Sequence, residues 1–191
     1  VKDIYIFSAI IYAILLCISP AYGVEPEVQP CAKGFQNDGS RYRIYMPSQE
    51  GVPYNGRFVI WAHGFQDVGT PVEIPEGQLC FDDNCIPDIV VGMGFGFATN
   101  SYRKTGLAVV EGTADIIDLV ENLTTYSQNC VDAEPETVYI IGASEGGLIT
   151  ALLAEQHPGV FDAAYALCAP IGNFRFEINY LGDARVTFEY F

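Results

Sequence analysis

The chain has 191 residues, of which 50% are hydrophobic and 13% aromatic, enough to build one packed domain and to exclude a disordered chain. Its 24 acidic residues outnumber the 9 lysines and arginines and give a formal net charge of -15. Such a surface repels phosphate backbones and anionic lipids, which excludes nucleic acid as a partner.

The N-terminus has the layout of a secretory signal peptide. An apolar run extends from Ile4 to Ile18 and is followed by Pro20 and by small residues up to Gly23. We predict that residues 1–23 are a signal peptide cleaved after Gly23, which implies a secreted or periplasmic protein. An uncleaved N-terminal membrane anchor is the alternative, although a bilayer span needs about 20 apolar residues.

Five of the six cysteines lie beyond this segment, and export would place them where disulfides persist. Cys80 and Cys85 bracket a short acidic loop and are expected to form a local disulfide, with Cys31 and Cys130 as a second candidate pair. Cys168 lies in an apolar run and is interpreted as a small core residue. Because the spacing matches no zinc site and histidine is scarce, we predict no metal and no cofactor.

Strand-like and helix-like stretches alternate along the rest of the chain. Partial alternation of polar and apolar residues predicts a half-exposed edge strand at 41–46, and continuous apolar runs predict buried strands. In the helix predicted within 107–126, Ile116 and Leu119 face the sheet whereas Asp115 faces away, as do Asp118 and Glu121. The other predicted elements are, in chain order, a strand at 58–62, a helix at 87–93, and strands at 96–100 and 138–141, followed by a helix at 145–156 and a strand at 163–167.

This alternation predicts one α/β layer structure. Strands joined by helices of these lengths require right-handed crossovers, which produce a mainly parallel sheet with helices on both faces. In such sheets the ligand binds at the carboxyl ends of the strands. We therefore expect the functional residues at that edge.

A serine lies between a predicted buried strand and a predicted helix. The sequence Gly142-Ala143-Ser144-Glu145-Gly146 would form a tight strand-to-helix turn that lifts the Ser144 hydroxyl above the sheet. The flanking glycines are expected because a side chain there would clash. The alternative is that Ser144 merely caps the helix, since serine is a preferred capping residue.

A second element, Trp61-Ala62-His63-Gly64-Phe65, directly follows the predicted central strand. Together with the serine turn it resembles the α/β-hydrolase superfamily, and the double glycine at 146–147 is similar to prolyl-oligopeptidase-like and iminopeptidase-like members as well as esterases. The resemblance implies that Ser144 is the nucleophile, and that the N–H groups of Phe65 and Glu145 form the oxyanion hole. We interpret His63 as a structural histidine that fixes the oxyanion loop, which includes Gly64.

The resemblance also implies an acid and a histidine base later in the chain than the nucleophile. His63 and His157 are both unsuited to act as the base, and Asp183 is only a faint candidate for the acid. We therefore expect a truncated sequence whose sheet is incomplete at the C-terminus and which is nearly inactive alone. Residues 24–170 would form the N-terminal part of the hydrolase domain, and residues 171–191 the start of a cap or lid.

Three functions remain open. The first is a secreted serine hydrolase that cleaves a carboxylic ester through an acyl-enzyme on Ser144. The second is a serine peptidase of the prolyl-oligopeptidase-like or iminopeptidase-like kind, acting on a short peptide. The third is a non-catalytic secreted binding protein on the same fold. No partner protein is implied.

Overall fold

A computed structural model describes residues 25–47, 51–82, 84–130 and 134–190. The predicted signal peptide lies outside the described residues. The strands are β1 (Ala32–Phe35), β2 (Arg41–Tyr45), β3 (Arg57–Ala62), β4 (Cys80–Phe81), β5 (Asn84–Cys85), β6 (Gly96–Asn100), β7 (Thr137–Ala143) and β8 (Ala163–Leu167). The helices are α1 (Ile86–Gly92), α2 (Val109–Glu121), α3 (Leu123–Tyr126), α4 (Glu145–Gln156) and α5 (Phe174–Tyr190).

The main sheet has the strand order β1-β2-β6-β3-β7-β8 within the described part of the chain. The pairs β6·β3, β3·β7 and β7·β8 are parallel, whereas β1·β2 and β2·β6 are antiparallel. The prediction of a mainly parallel sheet is confirmed. The predicted edge position of the strand at 41–46 is wrong, because β1 pairs with it and covers that edge. Only four residues long, β1 is too short to show a clear period in the sequence.

Helices pack on both faces of this sheet, as predicted. Along β3, Phe58 and Ile60 point into a core that includes Ile116 of α2 and Ile149 of α4. Val59 and Trp61 point to the opposite core, where they meet Val90 and Val91 of α1. Successive side chains of a strand alternate between faces, so a continuous apolar run is required wherever both faces are covered.

The prediction for α2 is correct except at one residue. Ile116 and Leu119 are fully buried, as expected from helical spacing. Asp115, predicted to face away from the sheet, has a side chain with no exposed surface. Its carboxylate accepts hydrogen bonds from the backbone and the guanidinium of Arg103, and this pairing offsets part of the cost of removing water around the carboxylate.

Both predicted disulfides are present. Cys31 is bonded to Cys130 and Cys80 to Cys85. The interpretation of Cys168 as a core residue is wrong, because Cys168 is a free, exposed thiol immediately after the end of β8. Across the residues that the structure describes, no helix combines the length and apolarity needed to cross a bilayer.

Candidate active site

The loops at the carboxyl ends of the parallel strands meet at one edge of the sheet. His63 follows β3, Ser101 follows β6, Ser144 follows β7 and Cys168 follows β8. The backbone N–H of Ser144 donates a hydrogen bond of 2.9 Å to the carbonyl oxygen of Leu167, which joins the ends of β7 and β8. This is the edge at which ligands bind in open α/β sheets.

Ser144 occupies the single-residue turn between β7 and α4. Its backbone dihedrals are φ 56° and ψ -119°, and its side chain is exposed. A capping serine normally has an extended backbone and accepts a hydrogen bond from the first turn of the helix. Ser144 has neither feature among the described residues, since its side chain forms no capping bond. The geometry therefore gives no support to the capping interpretation.

The two glycines that flank the turn lie too close to neighbouring backbone to carry a side chain. A Cβ on Gly142 would lie 2.2 Å from the carbonyl oxygen of Gly146, and one on Gly146 would lie 2.0 Å from that of Ala62. Both distances are well below a van der Waals contact, and backbone oxygens cannot rotate away. Glycine at these positions lets β7 turn sharply into α4 and lets α4 start against the end of β3.

The structure brings the second predicted element beside the serine. A Cβ placed on Gly64 would lie 3.5 Å from the Cβ of Ser144 and 3.3 Å from the carbonyl oxygen of Ala143. Phe65 is the next residue, and its side chain is 46% exposed. The oxyanion loop and the serine turn are thus in direct contact, although about 80 residues separate them in the chain.

His63 is buried beneath this loop. Its Nδ1 lies 2.7 Å from the carbonyl oxygen of Gly64, and its ring stacks on Tyr102 with 3.8 Å between the ring centroids. Because a carbonyl only accepts, Nδ1 must carry the hydrogen. Burial lowers the pKa of His63 to about 4, so the ring is neutral near pH 7. These contacts favour a structural role for His63.

His157 lies at the far end of α4 from Ser144. The helix has 12 residues between them, which corresponds to about 18 Å along its axis. The backbone N–H of His157 donates to the carbonyl oxygen of Leu153, and the helix ends there. Among the described residues, no hydrogen bond joins either histidine ring to the Ser144 hydroxyl, and the ring of His63 is buried.

Glu145 connects the serine turn to the loop before α2. Its side chain is buried, and one carboxylate oxygen accepts a hydrogen bond from the backbone N–H of Ala108. Burial raises the pKa of the Glu145 carboxyl. The backbone N–H of Glu145 is the first of α4, and the first N–H groups of a helix have no partner within it.

Two residues of this site were not predicted. The hydroxyl of Tyr102 donates to the carbonyl oxygen of His63 at 2.9 Å, and burial raises the pKa of Tyr102 well above its usual value. The carboxamide of Gln78 contacts the oxyanion loop twice. Its Oε1 accepts from Gly64 N–H at 2.6 Å, and its Nε2 donates to the carbonyl oxygen of Phe65 at 3.0 Å.

Comparison with known proteins agrees with this fold. A sequence profile of the prolyl oligopeptidase family, Peptidase_S9, matches residues 89–180, a range that includes Ser144 and its flanking glycines. No curated protein sequence shows a significant match to the chain.

Solved structures with this fold include peptidases and esterases. Acylaminoacyl peptidase from Pyrococcus horikoshii aligns at 16% identity and a TM-score of 0.50, over 72% of this chain and 22% of that one. The rice cell wall degrading esterase LipA from Xanthomonas oryzae aligns at 15% identity and a TM-score of 0.50, over 69% of this chain and 38% of that one. The chain spans well under half of the length of either protein.

Proposed function

We propose that this chain, whose fold is that of the α/β-hydrolase superfamily, carries the nucleophile and the oxyanion hole of a serine hydrolase. The observation that carries the proposal is the left-handed backbone of Ser144, with φ 56°, in the turn between β7 and α4. A non-glycine residue held in this conformation is strained by about 1–3 kcal/mol, and such strain concentrates at functional sites. The turn presents the hydroxyl to solvent instead of using it as a cap.

In the proposed reaction the Ser144 oxygen attacks the carbonyl carbon of the substrate while a general base takes the hydroxyl proton, which it later gives to the leaving group. The tetrahedral oxyanion then accepts hydrogen bonds from the N–H groups of Phe65 and Glu145. The second donor lies at the N-terminus of α4, where the helix dipole also favours negative charge. Collapse of this intermediate releases the alcohol or amine and leaves an acyl-enzyme on Ser144, which water hydrolyses.

The general base and its acid partner are proposed to come from residues outside this chain's 191 residues. The support is the geometry of the two histidines, because His63 is enclosed under the oxyanion loop and His157 ends α4 far from the serine. A serine hydroxyl without an adjacent base is a weak nucleophile at neutral pH. The chain alone is therefore expected to have little activity.

A carboxylic ester is our first proposal for the substrate. An ester releases an alkoxide more readily than a peptide releases an amine. A site built for acyl transfer therefore hydrolyses esters more readily than peptides. A short peptide is the second candidate, and the match to the prolyl oligopeptidase family favours it. Both reactions would use the same nucleophile and the same proposed oxyanion donors.

We further propose that the protein is exported and that residues 171–191 begin a cap over the site. The two disulfides support export, because such bonds persist in oxidising compartments. The cap proposal is supported by α5, which follows β8 and exposes large apolar side chains including Phe176 and Ile178. Large apolar side chains exposed together are typical of a surface that contacts another part of a protein or a ligand.

A fluorophosphonate probe tests the nucleophile directly, applied to the protein as its gene encodes it. We expect covalent labelling at Ser144, located by peptide mass spectrometry, and complete loss of labelling in Ser144→Ala. Ester turnover should fall by about 10⁴-fold or more in the same variant. Ser127→Ala is the matched control, because it removes a buried serine hydroxyl at the end of α3 and should change neither result.

Protein that has not been exposed to the probe is assayed for substrate preference with short-chain p-nitrophenyl esters and with aminoacyl amides. Turnover of the esters without turnover of the amides would support the first substrate proposal. Turnover of the amides would replace it with the second, because an amine is the poorer leaving group. A folded protein that takes up no probe would contradict a catalytic role for Ser144 and favour a non-catalytic binding protein.

A further inference from the structure

The orientation of one peptide group decides whether the oxyanion loop can act. The Gly64–Phe65 peptide carries the Phe65 N–H, one of the two proposed oxyanion donors. Peptide bonds are trans among the described residues, so the carbonyl oxygen of Gly64 points opposite to this N–H. The ring of His63 binds that oxygen at 2.7 Å from the buried side of the loop. The N–H is thereby directed away from His63.

A single hydrogen bond would leave this peptide free to tilt about its neighbours. Gln78 removes that freedom, because its carboxamide binds the backbone on both sides of the peptide. Oε1 accepts from the N–H of Gly64 at 2.6 Å, and Nε2 donates to the carbonyl oxygen of Phe65 at 3.0 Å. Only a side chain with a donor and an acceptor at its tip can make both bonds, which glutamine provides.

Gln78 is itself held firmly. It ends the 3-10 turn Glu76–Gln78, and its backbone N–H donates to the carbonyl oxygen of Pro75 at 2.9 Å. The next residue, Leu79, is fully buried, and Cys80 is tied to Cys85 by a disulfide. The carboxamide is thus presented to the loop from a segment anchored in the core.

We propose that Gln78 is a positioning residue that fixes the Phe65 N–H as an oxyanion donor, an inference that rests on the proposed function. Gln78 lies beside the reacting serine without serving as nucleophile or donor, since a Cβ on Gly64 would lie 3.2 Å from its Oε1 and 3.5 Å from the Cβ of Ser144. Its contribution belongs to the transition state and not to substrate binding, because negative charge develops on the oxygen only as the tetrahedral intermediate forms. Loss of Gln78 should therefore lower kcat and leave KM nearly unchanged.

The test compares Gln78→Met with Gln66→Met in the protein as its gene encodes it. Both changes remove a carboxamide from the same region, but the Nε2 of Gln66 donates to the carbonyl oxygen of Glu73 and not to the Gly64–Phe65 peptide. We expect kcat for a p-nitrophenyl ester to fall about tenfold or more in Gln78→Met, with KM within about twofold. Phenylboronic acid, which forms a tetrahedral adduct with a reactive serine, should bind more weakly by a similar factor.

Gln66→Met should retain both values within about threefold of the unmodified protein. If Gln78→Met does not fold, Gln78→Glu replaces it, since this variant keeps the acceptor for Gly64 N–H and loses the donor to Phe65. An active protein whose Gln78 variants keep kcat, or lose affinity for the substrate instead, would overturn this inference alone. An unmodified protein that neither turns over esters or amides nor takes up a fluorophosphonate would overturn the proposed function and this inference with it.

Discussion

Gly146 illustrates how a single residue allows the site to form. A Cβ at this position would lie 2.0 Å from the carbonyl oxygen of Ala62 and 2.5 Å from that of His63. Neither oxygen can move without shifting the end of β3 and the oxyanion loop. We expect Gly146→Ala to lower the free energy of unfolding by about 3 kcal/mol, measured by urea denaturation.

Gly92→Ala is the matched control for this change. Gly92 ends α1 and does not need a positive φ, and apart from its chain neighbours and the backbone of α1, no atom of the described residues lies within 4 Å of the position that a Cβ would take there. Alanine at this position should be neutral or stabilise the protein by up to about 1 kcal/mol. Equal effects of the two substitutions would show that the close approach at Gly146 does not constrain the fold.

For single residues, the sequence predicts a position correctly where that position depends on neighbouring residues in the chain. Ser144 and its glycines lie between a recognisable strand and a recognisable helix, so their position in a tight turn could be read from the neighbouring residues. Gln78 and Tyr102 act on the oxyanion loop from 14 and 39 residues away. No short-range pattern marks such contacts, because they depend on how distant loops meet after folding.

Among the secondary-structure elements, α2 carries the buried carboxyl group of Asp115, whose titration affects the free energy of unfolding. Burial, together with a hydrogen bond to Asp38, raises the pKa of Asp115 from 3.8 to about 7. Between these values the folded state binds more protons than the unfolded state. The contribution of Asp115 to stability is therefore fully present below about pH 4 and is lost as the pH rises towards 7.

Asp115→Asn removes this titration. The difference in unfolding free energy between the unmodified protein and Asp115→Asn should fall with rising pH from 4 to 7, by at most about 1.4 kcal/mol for each pH unit. Urea denaturation at several pH values measures it. Asp67→Asn removes an exposed carboxylate and serves as the control for the loss of one negative charge. A constant or rising difference for Asp115→Asn would contradict the prediction.

Most helices and strands could be predicted because their buried apolar residues recur at a regular spacing. The helix predicted at 145–156 coincides with α4, and the strand predicted at 163–167 coincides with β8. The errors arose where pairing with a neighbouring segment decides the outcome. Asp115 is buried because Arg103 pairs with it, and β2 is internal because β1 covers its edge.

For the molecule as a whole, the two disulfides constrain the unfolded chain to different extents. Cys31 and Cys130 are 99 residues apart and join the segment before β1 to the end of the α2–α3 region, whereas Cys80 and Cys85 are 5 apart. The entropy lost on closing a loop in the unfolded chain grows with its length. The long-range disulfide should therefore stabilise the fold more.

We expect the Cys31→Ser, Cys130→Ser double variant to lose about 4 kcal/mol of unfolding free energy, and the Cys80→Ser, Cys85→Ser double variant about 2 kcal/mol. Denaturant unfolding of both variants under identical conditions measures the difference. A larger loss in the second variant would show that the short disulfide acts mainly through the folded state, by supporting the hairpin of β4 and β5.

The architecture of the whole molecule could be predicted from the alternation of strands and helices, since few topologies satisfy right-handed crossovers between parallel strands. The expected position of the site at the carboxyl edge follows from the same rule. The way in which the loops interlock at that edge could not be predicted, because it depends on close approaches such as that of Gly64 to Ser144.

The left-handed backbone of Ser144 also has an evolutionary consequence. Glycine adopts this conformation without steric conflict, so selection for folding alone would favour glycine at 144. A lineage that no longer needed the hydroxyl would be expected to drift towards glycine there and to become more stable as it did so. At this position selection for chemistry favours serine, whereas selection for stability favours glycine.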